Sequence, residues 1–210
     1  EIGSDGRKLI SEYTRRIQAN NGITGLNAGN IRRIVYSQKF AEKAAAQYGL
    51  HPARVEHSGG FDGANMLFFV DADGKRFTLR VYKAAHTETE IRSQLHWMHA
   101  LKTETGLSVP DPLPWPDGTF FRKLEVKSAP DPRFCVLFHW VEGDRMEYLP
   151  KESITPTRIE NYGAMVAQMH AHAESFVPPD WFEAQRYDRD GFRQKLLTDD
   201  LDRDPLSKDE

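Results

Sequence analysis

The residues of this chain best placed to do chemistry lie between Ser58 and Lys83. They read Ser-Gly-Gly-Phe-Asp-Gly-Ala-Asn, a short apolar strand, an Asp-Gly turn, and then Phe77-Thr-Leu-Arg-Val-Tyr-Lys83. Glycines at 59, 60 and 63 let backbone amides approach an anion closely. On an extended strand, Phe77, Leu79 and Val81 point one way and Thr78, Arg80 and Tyr82 the other. Arg80 therefore sits at mid-strand among apolar residues, where a cation without an anionic or strongly polar partner is costly. A phosphate under the glycine loop would meet that need, because a guanidinium presents paired donors to phosphate oxygens. A cross-strand salt bridge at a sheet edge is the plainer alternative, and an ordinary hairpin loop explains the glycines as well.

Helices and strands must position these groups. Ser37–Tyr48 reads as a helix with Ser37 as N-cap and Gly49 as its stop. Strands follow at Arg54–His57, Asn65–Val70 and Arg76–Lys83, separated by the glycine loop and by an Asp-Gly hairpin signal at 71–74. Met66-Leu-Phe-Phe-Val70 is apolar on both faces, which predicts a strand covered on both sides. Thr87 to Glu104 reads as a helix with a Thr87/Glu90 capping box and a buried stripe of Ile91, Leu95, Met98 and Leu101. Gln94 lies with that stripe, within reach of Arg80. Four prolines extend the linker from Val109 to Pro116. Strands at Gly118–Val126 and Phe134–Val141 follow, then helices at Thr157–Ser175 and Asp188–Leu197. Tyr162, Met165, Val166, Met169 and Ala173 make the apolar stripe of the longer one. Leu9–Ala19 could form a helix, with 25–30 loop-like behind it.

Composition narrows the class. The chain has 210 residues, 39% of them hydrophobic, and a net charge of −3, a globular balance without the basic footprint of a nucleic-acid or anionic-membrane binder. From Asp199 to Glu210 six acids stand against Arg203 and Lys208, a solvated end. The single cysteine, Cys135, excludes an intrachain disulfide. With no membrane-length apolar run and no signal-peptide core at the start, a cytoplasmic protein is expected.

The segments Ser58-Gly-Gly-Phe…Asn65, Phe77-Thr-Leu-Arg-Val-Tyr82, Ile91-Arg-Ser-Gln-Leu-His-Trp97, Val109-Pro-Asp-Pro112, Val136-Leu-Phe-His-Trp-Val-Glu-Gly143 and Gly163-Ala-Met-Val-Ala-Gln-Met-His170 occur in an order that resembles the aminoglycoside phosphotransferase and choline kinase superfamily. The likeness runs over about residues 35–197 and is nearest the branch that includes type II homoserine kinases. It implies an α+β, protein-kinase-like fold: a five-stranded antiparallel N-lobe with an inserted helix, then the first helices of a helical C-lobe. The corresponding divisions are an extension at 1–30, an N-lobe at 31–140, and a hinge with an incomplete C-lobe at 141–210.

The resemblance also implies ATP, with Mg²⁺ bridging its phosphates, and transfer to a small-molecule acceptor the sequence does not identify. Gly59, Gly60 and Asn65 match the phosphate-covering loop and the strand leaving it. Arg80 matches the strand-three cation on the phosphates, and Thr78 lies beside the adenine. His139 to Val141 match the hinge that pairs with the adenine edge. Gln94 stands where relatives usually carry a glutamate, so it can hydrogen-bond Arg80 but cannot neutralise it. The family's catalytic loop, a His-Gly-Asp-type segment with an Asn five residues on and a later metal-binding Asp, has no match. No asparagine follows Asn161 and no histidine follows His172. The base and metal ligands are therefore expected in a part of the protein beyond this chain, and no catalytic or metal residue is assigned. These residues alone are expected to bind nucleotide weakly without turnover. A non-catalytic module of kinase-like shape is the alternative, and an unpartnered helix 157–175 predicts self-association.

Other motifs carry less. Asp188-Arg-Asp-Gly-Phe192 lacks a following Asn and reads as a helix start. Asp200, Asp202 and Asp204 imitate a calcium loop, but Pro205 stands where glycine is needed. The pairs His96/His99 and His170/His172 lack a third ligand. Cys135 reads as a packed strand residue.

Overall fold

Among the described residues, strands of alternating pattern and strands that are largely apolar build one antiparallel sheet of five strands. These are β1 (Pro52–Asp62), β2 (Asn65–Ala72), β3 (Lys75–Val81), β4 (Arg122–Leu124) and β5 (Arg133–His139), in the order β1-β2-β3-β5-β4. The computed structural model describes residues 28–62, 65–127, 129, 131–143 and 149–183. Ala72 pairs with Lys75, and Asp73 and Gly74 between them have φ of 52° and 72°, the two-residue hairpin that Asp-Gly favours. Helix α1 (Ala28–Gln47) lies before the sheet, α2 (Glu88–Thr105) between β3 and β4, and α3 (Pro156–Ser175) after β5.

The two sheet faces differ. Met66, Phe68, Val70, Phe77, Leu79 and Leu137 are buried on one face against Phe40, Ala41, Ala44 and Ala45 of α1. On the other face Ile91 and Leu95 of α2 pack with Tyr82, Phe134, Val136 and Phe138. That cover is incomplete: Leu67, Phe69 and Thr78 are half-buried. Strand β2 is thus sealed on one side only, not on both as its run of apolar residues suggests.

Local signals hold where they are strong. Thr87 Oγ1 accepts the Glu90 N–H (3.1 Å), Glu90 Oε2 accepts the Thr87 N–H (2.8 Å), and Gly106 closes α2 at φ 71°. Gly49, at φ 75°, follows α1 as expected. The start of α1 differs: it begins at Ala28, and Ser37 is a buried mid-helix residue rather than an N-cap. Buried Ile34, one turn earlier, anchors the added turns. Strand β4 keeps only Arg122–Leu124, because Asp117 turns the chain by accepting from Thr119 N and Oγ1 (3.1 and 2.6 Å). Helix α3 starts a residue before the predicted Thr157, with Pro156 in its first turn and Thr155 as N-cap. Its packed residue is His172; Ile159, Tyr162 and Met165 are exposed and Val166 and Met169 half-buried.

The proline linker runs beside β5, where Leu113 N–H donates to Leu137 O (2.7 Å) and Asp111 O accepts from His139 N–H (2.8 Å). Among the described residues no helix is long and apolar enough to cross a membrane. The predicted helices at 9–19 and 188–197 and residue Gly63 lie outside the described residues.

Strand β1 carries a buried His57, its ring edge-on to Phe68 at 5.4 Å. Burial lowers its pKa from 6.5 to about 4, so the imidazole is neutral in the fold and protonates more readily once the chain unfolds. Its contribution to stability is complete above pH 6.5 and is lost as the pH falls from there toward 4. His57→Phe is expected to lose less stability than the parent between pH 7 and pH 4, by on the order of 3 kcal/mol. Urea unfolding at each pH measures the difference, and parallel curves for the two proteins would refute the assignment.

Candidate functional site

Arg80 occupies the middle of β3, the central strand, with Leu67 of β2 on one side and Val136 of β5 on the other. The sheet-edge salt bridge is therefore not what accommodates it: both cross-strand neighbours are apolar, and among the described residues no carboxylate pairs with it. Its Nη1 instead donates to Gln94 Oε1 (3.3 Å) and lies 3.5 Å from Tyr82 Oη, which itself donates to Gln94 Oε1 (2.7 Å). The guanidinium carbon sits 5.3 Å from the Phe138 ring centre and 5.7 Å from that of Tyr82. Arg80 Nε is buried without a hydrogen-bond partner. Gln94 reaches Arg80 as expected, but from an exposed position at the border of the α2 stripe rather than from within it.

The glycines stand in the same cross-strand row. His57 pairs with Phe68 and Phe61 with Met66, so β1 takes four steps where β2 takes two, and Gly59 and Gly60 fall in the resulting bulge opposite Leu67. They are part of β1, which continues to Asp62, rather than of a loop ending a strand at His57. Two interstrand spacings, roughly 10 Å, separate this bulge from the Arg80 backbone. Asn65 opens β2, and its Oδ1 accepts the Lys83 N–H (3.4 Å), tying the start of β2 to the end of β3.

Thr78 pairs with Phe69 and Phe138 and lies with half-buried Leu67 and Phe69 on the Arg80 face; the Phe69 ring is met edge-on by Trp140 at 5.5 Å and lies 5.8 Å from the Arg76 guanidinium carbon. His139 pairs with Phe77, so its side chain projects to the α1 side, and its N–H is committed to Asp111 O. Val141 lies just past β5, half-buried and without regular structure, two residues before Gly143 at φ 152°. The structure thus brings Thr78, Arg80 and Gln94 together on one face, puts Gly59 and Gly60 in their row, and leaves the His139 ring outside.

Tyr82 and Phe138 belong to the site although sequence reasoning gave them no role. Strand alternation already put Tyr82 on the Arg80 face; the pairing that brings Phe138 alongside needs the sheet order. Cys135 is fully buried, and burial drives its thiol pKa up, so it is packing rather than nucleophile. Among the described residues no group of three His, Cys, Asp or Glu side chains could hold a metal ion.

The sequence pattern of the phosphotransferase enzyme family matches residues 55–209, and the chain belongs to that family. No curated protein matches it by sequence. Solved structures with its fold include a microcompartment-associated aminopropanol kinase, 24% identical, TM-score 0.60, covering 71% of this chain and 45% of that one. An amicoumacin kinase in complex with AMP-PNP, Ca²⁺ and Ami is 16% identical, TM-score 0.63, covering 82% and 49%. A spectinomycin phosphotransferase in complex with ADP and spectinomycin is 14% identical, TM-score 0.53, covering 72% and 42%. The kinase-like α+β fold is thus shared with all three, and the chain spans less than half the length of each.

An arginine with an unpartnered Nε at the centre of a sheet is a stability cost unless a ligand answers it. Arg80→Met, which keeps the aliphatic volume and removes the cation, is expected to raise stability by about 1 kcal/mol. Chemical denaturation of the ligand-free protein checks this; a loss of more than about 1 kcal/mol would show that Arg80 is a structural member of the sheet.

Proposed function

We propose that this chain is the nucleotide-holding part of an ATP-dependent phosphotransferase that acts on a small-molecule hydroxyl. Residues 31–140 serve as the nucleotide lobe, 141–210 as the hinge and start of a helical lobe, and 1–30 as an extension. The observation that carries the reading is Arg80: a part-buried cation, unmatched by any described carboxylate, beside half-buried Thr78 and Leu67 and in the row of a glycine bulge. That combination suits an anionic group attached to a flat ring. Family membership and the kinases that share the fold support the same reaction class.

In this reading the adenine lies against Thr78 and Phe69, with backbone groups at Val141 reading its edge, since the His139 N–H is already taken. Arg80 draws the phosphates, the backbone at Gly59 and Gly60 covers them, and Asn65 acts by holding β2 against β3. Mg²⁺ enters with the nucleotide, and its protein ligands and the base lie beyond the residues assigned here, so the 210 residues alone bind without turnover. Gln94 favours a second reading, a non-catalytic kinase-like module, because an amide satisfies Arg80 sterically without balancing its charge. Cytoplasmic residence fits a lone, buried Cys135.

Calorimetric titration with AMP-PNP and Mg²⁺ tests the proposal. The parent chain is expected to bind, and Arg80→Ala to weaken binding by about tenfold or more, the usual loss for a charge-assisted contact. Equal affinities would sink it, and ATP turnover by these 210 residues would overturn the inactive part of the reading.

The exposed Ile159, Tyr162 and Met165 on α3 are proposed to drive self-association in the isolated chain. Light scattering after size exclusion is expected to give more than a monomer, returned to monomer by Ile159→Lys with Tyr162→Lys. A monodisperse parent monomer would count against this.

A further inference from the structure

Helix α2 is gripped on two sides. Ile91 and Leu95 face the sheet, while Ser93 and His96, roughly opposite on the helix, face the chain that follows α3. Ser93 is 1% exposed although polar, and its Oγ accepts the Glu183 N–H at 2.9 Å. Trp181 lies 3.9 Å under the Arg92 guanidinium and meets the His96 ring edge-on at 5.3 Å. Phe176 and Phe182 close around the same His96 ring. About two turns toward the end of α2, Glu104 Oε2 is 3.0 Å from Nε2 of buried His172 on α3.

We propose that residues 176–183 form a strap that sets the rotation of α2 and so holds Gln94 against Arg80 and Tyr82. Ser93, next to Gln94 in sequence, and Trp181, against Arg92 and His96 of the same helix, are then positioning residues that act on Gln94 through α2. The reasoning is mechanical: Gln94 borders the sheet-facing stripe, so a small roll of α2 moves its Oε1 out of range of Arg80 Nη1, already 3.3 Å away. Ile91 and Leu95 alone offer greasy contacts that tolerate such a roll. The directional Ser93 bond and the stacked indole on the far side do not. The effect on nucleotide affinity rests on the function proposed above; the effect on Gln94 does not.

The full chain is used, with the Gln94 side-chain amide resonances, identified by their loss in Gln94→Ala, as the direct readout. Trp181→Ala is expected to move them toward free-glutamine values and Trp181→Phe to restore them. Ser93→Ala, a milder change, gives a smaller shift in the same direction and serves if Trp181→Ala does not fold. Unmoved Gln94 resonances in the folded variants would overturn the proposal. AMP-PNP affinity should fall roughly five-fold in Trp181→Ala, the size of a coupled contact, and show no such fall when Gln94 is already alanine. An undiminished loss in that background also overturns it. A parent chain that binds no nucleotide, with Gln94 still responding, refutes the functional reading and leaves the strap intact.

Discussion

The constraint on which the rest of this structure depends is a guanidinium placed at the centre of the central strand. Strand β3 has neighbours on both sides, so Arg80 cannot escape over an edge, and Leu67 and Val136 beside it offer nothing polar. Its own sheet supplies ring faces, from Phe138 and Tyr82, and one hydroxyl. Everything stronger must come from outside the sheet. Part of it comes from α2, through Gln94; the rest is left open on the same side.

That demand explains why the two faces of the sheet are built differently. On one, a long helix rich in alanine lies close, and Phe40, Phe68 and Leu79 are wholly buried. A full apolar seal there supplies most of the burial that stabilises a domain of this size. On the other, α2 covers Tyr82, Phe134 and Val136 and leaves Thr78, Phe69 and Leu67 half-open. A second helix as complete as α1 would make a better core and leave no room for a flat ligand beside the cation. The sealed core and the partly exposed Arg80 face thus occupy opposite sides of the same five strands.

Much of this was legible before any coordinates, and the misses have physical causes. The Thr87/Glu90 capping box, the Asp73-Gly74 hairpin and the Gly49 stop are local, and each was read correctly because a few neighbouring residues decide it. The start of α1 was misplaced by nine residues because Ser37 looks like a cap and is instead buried, a fact set by tertiary packing. The glycine segment suggested a loop, yet bulging within a continuous β1 depends on pairing with β2, which sequence does not display. Arg80 and Gln94 could be brought together by period alone. Ser93 and His96 could not, because their partners lie some eighty to ninety residues later.

An amide rather than a carboxylate at the tip of that contact bears on what must keep α2 in place. A carboxylate facing Arg80 would add ion-pair attraction to the hydrogen bond and would pull the helix into register by itself. Gln94 accepts from both Arg80 and Tyr82 through one neutral oxygen, which lacks the ion-pair attraction of a carboxylate and stands 3.3 Å from the guanidinium nitrogen. Register must then be held by contacts with directional geometry elsewhere on the helix. The Thr87 cap fixes where α2 begins but leaves rotation about its axis to side-chain packing. On the side away from the sheet stand a buried serine bonded to a backbone amide, an indole under an arginine, and a histidine facing a glutamate. A helix held by an ion pair at the Arg80 contact would have less need of polar groups in those places. In one held by an amide, they are what keeps the cation and its partner within hydrogen-bonding distance.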